Sequence, residues 1–170
     1  GLDGLFRAGW VEWVSSMTYQ AASGAGAKNM RELLAQMRSL VQAAGPELDQ
    51  PAAEILDIER RVTAQMRSSE IPTAEFGAPL AGSLLAWIDK PVEGGATREE
   101  WKGYAEANKI LGTKRPIPID GLCVRVSALR CHSQALTVKL TQDVPLDEIE
   151  AAIRESNPWA RVVENTKEAT

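Results

Sequence analysis

The spacing of apolar and polar residues along the chain changes between the periods of strands and of helices. Segments with alternating or β-branched residues predict strands, and apolar residues three or four positions apart predict helices. We expect strands at residues 11–19, 122–129, 133–141 and 160–163, and helices at residues 28–44, 52–66, 97–111 and 145–156. The apolar segment 80–88 is expected to be buried, and its pattern favours neither type of element. This order of elements predicts an α+β (α/β-like) fold, with a mixed β-sheet and helices packed on one face.

Two segments carry specific local signals. Thr97 is followed three residues later by Glu100, which matches the capping-box pattern of a helix start. Residues 20–27 are mostly small, which allows other groups to approach the backbone closely. Glycines at 24 and 26 begin a dinucleotide-binding pattern, but Asn29 stands where its last glycine is required, so we reject a Rossmann-type site here.

Composition and charge exclude several classes of function. The chain has 170 residues, and 19 Lys and Arg against 23 Asp and Glu give a net charge of −4. The length fits one domain with its own core, and the acidic balance disfavours nucleic-acid binding. No apolar stretch reaches the roughly 18 residues that a membrane span needs. Two cysteines and one histidine are too few for the usual zinc sites unless carboxylates also bind the metal. Two cysteines are also too few for a disulfide scaffold, which predicts a reducing cytoplasm.

His132 is a candidate for proton transfer. Imidazole suits general acid–base catalysis near neutral pH, and this residue follows the strand predicted at 122–129. A structural or solvated histidine is the more common alternative, but Arg130, Cys131 and Ser133 crowd the same strand end. Neighbours along a strand point to opposite faces, which argues against a direct pair of Cys131 with His132.

Charged residues provide two further candidates. Arg125 lies inside an apolar strand, where a cation is costly unless it is paired. Either an internal carboxylate such as Asp120 or Glu99 pairs with it, or its guanidinium binds the carboxylate of a substrate. Glu99 and Lys102 share one face of the first turn of a helix. Their spacing favours a surface ion pair, and the alternative is a pair of ligand contacts.

Several segments together resemble one enzyme family. They are residues 18–26 (TYQAASGAG), 55–60 (ILDIER), 98–103 (REEWKG), 108–111 (NKIL), 120–126 (DGLCVRV) and 130–134 (RCHSQ). In this order and spacing they resemble aspartate-β-semialdehyde dehydrogenase of the Gram-negative bacterial type, over nearly the whole chain. The resemblance implies a glyceraldehyde-3-phosphate dehydrogenase-like C-terminal domain whose sheet packs on that of a second subunit, and therefore a homodimer.

The same resemblance implies an activity. The family reduces L-aspartyl 4-phosphate with NADPH to L-aspartate 4-semialdehyde and phosphate, a reaction that leads to lysine, methionine and threonine. His132 matches the general acid–base group, and Gln20 matches the glutamine that orients the reacting cysteine and carbonyl. Three residues match the family's substrate contacts. Arg125 matches the residue that binds the substrate carboxylate, Glu99 the residue that faces its ammonium and Lys102 a residue that contacts its phosphate.

The resemblance also implies that essential parts lie outside this sequence. The family's nucleophilic cysteine lies just upstream of Gly1, and Cys123 and Cys131 match other cysteines. We therefore expect residues 1–170 to be a substrate-binding, catalytic and dimerisation domain, without the NADP-binding domain and inactive alone. The alternatives are a related acyl-phosphate reductase, such as the N-acetylglutamyl-phosphate enzyme, which would not need Glu99, or a non-catalytic homologue that acts as a dimerisation module.

Overall fold

The computed structural model describes residues 1–169. Over this range the chain forms five α-helices and four β-strands. In chain order they are α1 (Asp3–Arg7), β1 (Val11–Gln20), α2 (Ala27–Ala44), α3 (Ile55–Met66), β2 (Leu84–Leu85), α4 (Arg98–Leu111), β3 (Ile119–Val126), β4 (Ser133–Leu140) and α5 (Leu146–Ser156). Two short 3₁₀ turns, Ala22–Ala25 and Pro46–Asp49, precede and follow α2. The α1 helix and the two 3₁₀ turns were not predicted.

The strands form one four-stranded sheet in the order β2-β3-β1-β4. β2 is antiparallel to β3, and Leu85 is opposite Arg125 in this register. The mixed sheet with helices confirms the α+β prediction. β3 was expected at 122–129, three residues later than its observed position. Val14 on β1 donates its amide to the carbonyl of Pro118, so pairing with the neighbouring strand, rather than side-chain alternation, decides where β3 begins.

The chain divides into two compact units. One contains residues Gly1–Ser16, Lys90–Gly121 and the chain from Ala135 onward, and the other contains Met17–Asp89 and Leu122–Gln134. In the first unit, the buried side chains of Leu5, Val11 and Val14 form the core. Its partly buried neighbours are Leu2, Phe6, Trp10, Ile117, Ile119, Val138, Ile149, Ala152 and Ile153, so both terminal helices contribute to this core.

The second unit is built around helix α2. Leu33 on α2 and Leu80 on the loop between α3 and β2 are fully buried in its core. Beside them, the buried side chain of Gln36 binds the backbone of the loop. Its Nε2 donates to the carbonyl of Pro72 at 2.7 Å, and its Oε1 accepts from the amides of Leu80 at 2.8 Å and Ala81 at 3.0 Å. One glutamine therefore satisfies backbone groups that have no regular strand or helix partner.

Glu32 extends the same contact one turn earlier on α2. Its carboxylate accepts from the amides of Glu75 at 2.7 Å and Phe76 at 3.0 Å. Asn29 donates to the carbonyl of Glu75 at 3.2 Å. These polar residues on α2 are mostly buried and hold a loop more than forty residues later. Their buried role has no signal in the sequence, because their partners are backbone groups at long sequence separation.

Helix α4 begins as the sequence predicts. Thr97 Oγ1 accepts from the amide of Glu100 at 3.3 Å, and Glu100 Oε2 accepts from the amide of Thr97 at 2.6 Å. The helix ends at Leu111, and Gly112 takes the left-handed conformation with φ of 60°. The predicted capping box and the glycine that ends the helix are both confirmed.

Replacing Thr97 with alanine is expected to lower the free energy of unfolding by about 1 to 2 kcal/mol, because the helix loses its side-chain cap. Urea denaturation of the chain measures this change. Glu106→Ala, at an exposed position of the same helix, is the matched control and should change stability by less than about 0.5 kcal/mol. Equal losses in the two variants would contradict the role of the cap.

Two expectations for apolar segments are wrong. Residues 160–163 form no strand, since a short apolar segment becomes a strand only where a neighbour pairs with it. Within 80–88 only Leu80 and Ala81 are buried, whereas Leu84 is 55% exposed and Trp87 is 54% exposed. The two-residue strand β2 lies at the edge of the sheet, where side chains on one face remain uncovered.

Candidate active site

The site is built around the turn that follows β1. Ala21 is extended, with φ of −68° and ψ of 157°, and the 3₁₀ turn Ala22–Ala25 comes directly after it. Ala21 and Ala22 have no exposed surface, so only small side chains fit there. The amides of Ala22 and Ser23 donate to the carbonyls of Ala128 at 2.8 Å and Leu129 at 3.0 Å. The turn is thereby attached to the loop that leads from β3 to His132.

Both peptide groups of Ala21 bind predicted site residues. Its amide donates to Nδ1 of His132 at 3.1 Å, and its carbonyl accepts from Nη1 of Arg125 at 2.8 Å. Arg125 comes from β3 and is 7% exposed, whereas His132 lies in the exposed loop before β4. The structure therefore brings together two candidate site residues that no sequence pattern links, and both of them bind the backbone of Ala21.

Gly24 lies against the same two side chains. A Cβ atom built on Gly24 would be 3.0 Å from Nε2 of His132, 3.1 Å from its Cε1 and 3.2 Å from Nη1 of Arg125. One point in space is thus close to both the imidazole and the guanidinium. The sequence signal for this arrangement was the run of small residues at 20–27, which indicated a close approach but not its partner.

Gln20 is the last residue of β1, immediately before Ala21. Its side-chain Nε2 is 3.4 Å from Oγ1 of Thr18, at the long end of hydrogen-bond distances. The structure thus places Gln20 beside the turn in the chain and gives its amide a contact on the same strand.

Glu99 and Lys102 lie in the other compact unit, in the first turn of α4. Nζ of Lys102 is 3.0 Å from Oε2 of Glu99, and their side chains are 34% and 27% exposed. This is the ion pair that the spacing favours. Such partly exposed pairs contribute about 1 kcal/mol at most, so a charged ligand could replace either partner at low cost.

No strand is present at Cys131 and His132, whose side chains were expected to point to opposite faces of one. β3 ends at Val126, and both residues lie in the loop, where Cys131 has a φ of +71°. Directly after the strand, the hydroxyl of Ser127 donates to the carbonyls of Leu80 and Ser83. The opposite-face argument therefore does not apply to Cys131 and His132.

The arrangement around the turn supports two chemical tasks. The guanidinium of Arg125 has five N–H donors in a planar fork, which matches the geometry of a carboxylate. The exposed imidazole of His132 can transfer protons. In the part of the chain that the structure describes, no group of three or more His, Cys, Asp or Glu could hold a metal ion. No helix within residues 1–169 is long and apolar enough to cross a bilayer.

Comparison with known proteins identifies related sequences and structures. Residues 2–170 match the family model described as semialdehyde dehydrogenase, dimerisation domain. An aspartate semialdehyde dehydrogenase from Francisella tularensis is 46% identical, with a TM-score of 0.90 over 99% of this chain and 45% of that one.

Two more distant structures share the fold. Aspartate semialdehyde dehydrogenase II from Vibrio cholerae, complexed with ASA, is 22% identical, with a TM-score of 0.69 over 92% of this chain and 40% of that chain. A probable aspartate-semialdehyde dehydrogenase from Pseudomonas aeruginosa is 17% identical, with a TM-score of 0.66 over 89% of this chain and 38% of that chain. The present chain spans less than half the length of each of these relatives.

Proposed function

Because this chain belongs to the family of semialdehyde dehydrogenase dimerisation domains, we propose that it is the substrate-binding and dimerisation part of an aspartate-semialdehyde dehydrogenase. The proposed reaction is the NADPH-dependent conversion of L-aspartyl 4-phosphate to L-aspartate 4-semialdehyde and phosphate, which supplies lysine, methionine and threonine synthesis. The observation that supports it most is the binding of His132 and Arg125 to the two peptide groups of Ala21.

The chemistry of this substrate matches the proposed residues. Aspartyl phosphate carries a carboxylate, an ammonium and a phosphate, so its binding needs a cation, an anion and a second cation. In the proposal Arg125 binds the carboxylate with its fork, Glu99 binds the ammonium and Lys102 binds the phosphate. Glu99 and Lys102 give up their mutual ion pair when they bind these charges, which costs about 1 kcal/mol or less.

The proposal gives proton transfer to His132. Its ring is exposed, and Ala21 engages Nδ1, so Nε2 is the nitrogen through which it meets the reacting groups. Gln20, next to Ala21, orients the reacting cysteine and carbonyl. That cysteine is proposed to belong to a segment outside this chain. It would displace phosphate from the acyl phosphate by forming a thioester. Bound NADPH would supply the hydride that converts this thioester to the aldehyde and releases the cysteine thiolate.

The sequence of this chain lacks the glycine pattern of a dinucleotide-binding site. Gly24, in the turn Ala22–Ala25, lies against the side chains of His132 and Arg125. We propose that a nucleotide-binding domain outside residues 1–170 provides most of the NADP contacts.

A homodimer is part of the proposal. Apolar side chains remain partly exposed on three neighbouring strands of the sheet, namely Trp13 (38%), Met17 (39%), Tyr19 (39%), Leu122 (38%) and Leu136 (40%). Large apolar side chains that remain exposed are common at protein interfaces, and the family model is that of a dimerisation domain. A second copy of the chain is the proposed partner. The cytoplasmic location expected from the cysteines remains a prediction.

The reverse reaction tests the proposal. The full-length protein that carries this chain is assayed for phosphate-dependent reduction of NADP with aspartate semialdehyde, and separately with N-acetylglutamate semialdehyde. Turnover of the free amine alone would support the proposal and the role of Glu99. Turnover of the acetylated substrate alone would favour the related acyl-phosphate reductase, and turnover of neither by a folded dimer would favour a non-catalytic module. Reduction of aspartyl phosphate by the present chain alone would contradict the proposed location of the nucleophile.

Replacing Arg125 with lysine is expected to raise KM for aspartate semialdehyde about 10- to 100-fold, with a smaller effect on kcat. Lysine keeps the charge but loses the fork, and a charge-assisted hydrogen bond contributes about 1.5 to 3 kcal/mol. Steady-state kinetics of the full-length enzyme measure the change. Arg130→Lys, at an exposed position in the nearby loop, is the matched control and should leave KM as it is. A similar KM for Arg125→Lys and the parent enzyme would refute the assignment.

A further inference from the structure

The hydrogen bond from Ala21 restricts the protonation of His132. The Ala21 amide is a donor, so Nδ1 of His132 must present a lone pair to accept from it at 3.1 Å. In the neutral ring the single proton is then carried by Nε2. The opposite tautomer would place an N–H group against the N–H of Ala21, and the hydrogen bond would be lost. The backbone therefore selects one of the two neutral tautomers.

The same residue fixes the neighbouring cation. The carbonyl of Ala21 accepts from Nη1 of Arg125 at 2.8 Å, and Arg125 is buried except for 7% of its surface. Ala21 is itself completely buried, and the next two amides of the turn donate to the loop after β3. Its peptide groups are thus held in place by the surrounding structure, which lets them orient two side chains at once.

Because Gly24 has no side chain, it leaves room for the side chains of His132 and Arg125. A Cβ atom at this position would lie 3.0 Å from Nε2 of His132 and 3.2 Å from Nη1 of Arg125, closer than almost all contacts that Cβ atoms make. To accept a methyl group, the imidazole or the guanidinium would have to shift by a few tenths of an ångström. Either shift would stretch a hydrogen bond to Ala21.

We propose that residues 21–24 form a positioning device, in which the peptide of Ala21 holds His132 as the Nε2–H tautomer beside Arg125, and Gly24 keeps the space for both. In this tautomer Nε2 has no lone pair, so the ring meets a substrate as a donor, which suits a developing oxyanion. At Nε2, His132 therefore gives a proton rather than accepting one. This consequence for catalysis rests on the proposed function, whereas the tautomer and the role of Gly24 are properties of the chain itself. Gly24 is a positioning residue, since it acts through the two side chains.

The tautomer can be measured directly, because the chain has one histidine. We label the histidine ring with ¹⁵N and record its two nitrogen shifts at about pH 9, where imidazole is normally neutral. The expected spectrum has a protonated Nε2 and an unprotonated Nδ1. A protonated Nδ1, or a mixture of tautomers like that of free histidine, would overturn the proposal whatever the activity of the enzyme.

Gly24→Ala tests the space around the two side chains. We expect the variant chain to remain folded and to lose the preference for the Nε2–H tautomer. In the full-length enzyme kcat/KM should fall about 10- to 100-fold, since small misplacements of reacting groups have effects of this size. Both kcat and KM should change, because one methyl group disturbs His132 and Arg125 together.

Gly103→Ala is the matched control. A Cβ atom on Gly103, in helix α4, would meet nothing within 4 Å, so neither the histidine spectrum nor the kinetics should change. If the Gly24→Ala variant has the spectra and kinetics of the parent, the proposed role of Gly24 is wrong. If the variant chain does not fold, that role is also wrong, because Gly24 is then required for folding. An inactive parent enzyme with the expected histidine spectra would count against the proposed function alone.

Discussion

Replacing Gln36 with leucine is expected to lower the free energy of unfolding by about 3 to 5 kcal/mol. Leucine has a similar volume, but it leaves the amides of Leu80 and Ala81 and the carbonyl of Pro72 without the partner that they have in the native chain. Each unsatisfied buried group costs about 1 to 3 kcal/mol. Gln36 has no exposed surface, so water does not replace the lost hydrogen bonds readily.

Urea denaturation with linear extrapolation measures this loss. Gln42→Leu is the matched control, because Gln42 is exposed on the same helix and its replacement should change stability by about 0.5 kcal/mol or less. If Gln36→Leu is as stable as the parent chain, apolar packing alone holds the loop of residues 72–81, and the polar contacts described here contribute little.

Replacing His132 with alanine in the full-length enzyme is expected to lower kcat about 10²- to 10⁴-fold. This is the usual contribution of a positioned acid–base group. KM should change little, since the proposed substrate contacts lie on other residues. The fold should be retained, because the side chain is exposed and makes its described hydrogen bond to one backbone amide.

Steady-state kinetics of the NADP-coupled reaction, together with thermal unfolding, test this second prediction. Ser133→Ala is the matched control, since Ser133 is the exposed neighbour at the start of β4 and has no proposed role in the reaction. A similar loss of kcat in both variants would point to the loop rather than to the imidazole. Full kcat in His132→Ala would remove His132 from the mechanism.

Three of the four longer helices, α2, α4 and α5, were predicted to within one residue at each end, because their signals are local. Helix α4 starts after Thr97 and ends before Gly112, and both signals lie within four residues of the ends that they determine. In α2, apolar residues three or four positions apart likewise lie on one face of the helix, and this face packs against the core. The strand ends were less well predicted, as β3 shows, because a strand ends where hydrogen bonding to its neighbour ends.

The site was predicted only in part. Arg125 was recognised from its chemistry, because a cation inside an apolar strand needs a partner, and the structure provides the carbonyl of Ala21 among its contacts. The spacing of Glu99 and Lys102 correctly predicted their ion pair. The roles of Gln20, Arg125, His132, Glu99 and Lys102 in catalysis and binding remain predictions, which the variants described above can test.

The sequence by itself determined the class of fold, the family and the main helices of this protein, because periodicity, caps and motifs depend on residues a few positions apart. Only the tertiary structure showed that Ala21 binds Arg125 and His132, which follow it by 104 and 111 residues. It also showed that Gly24 leaves room for both side chains. Contacts between backbone groups and side chains far away in the sequence produce no periodic pattern, so they can be identified only in the folded structure.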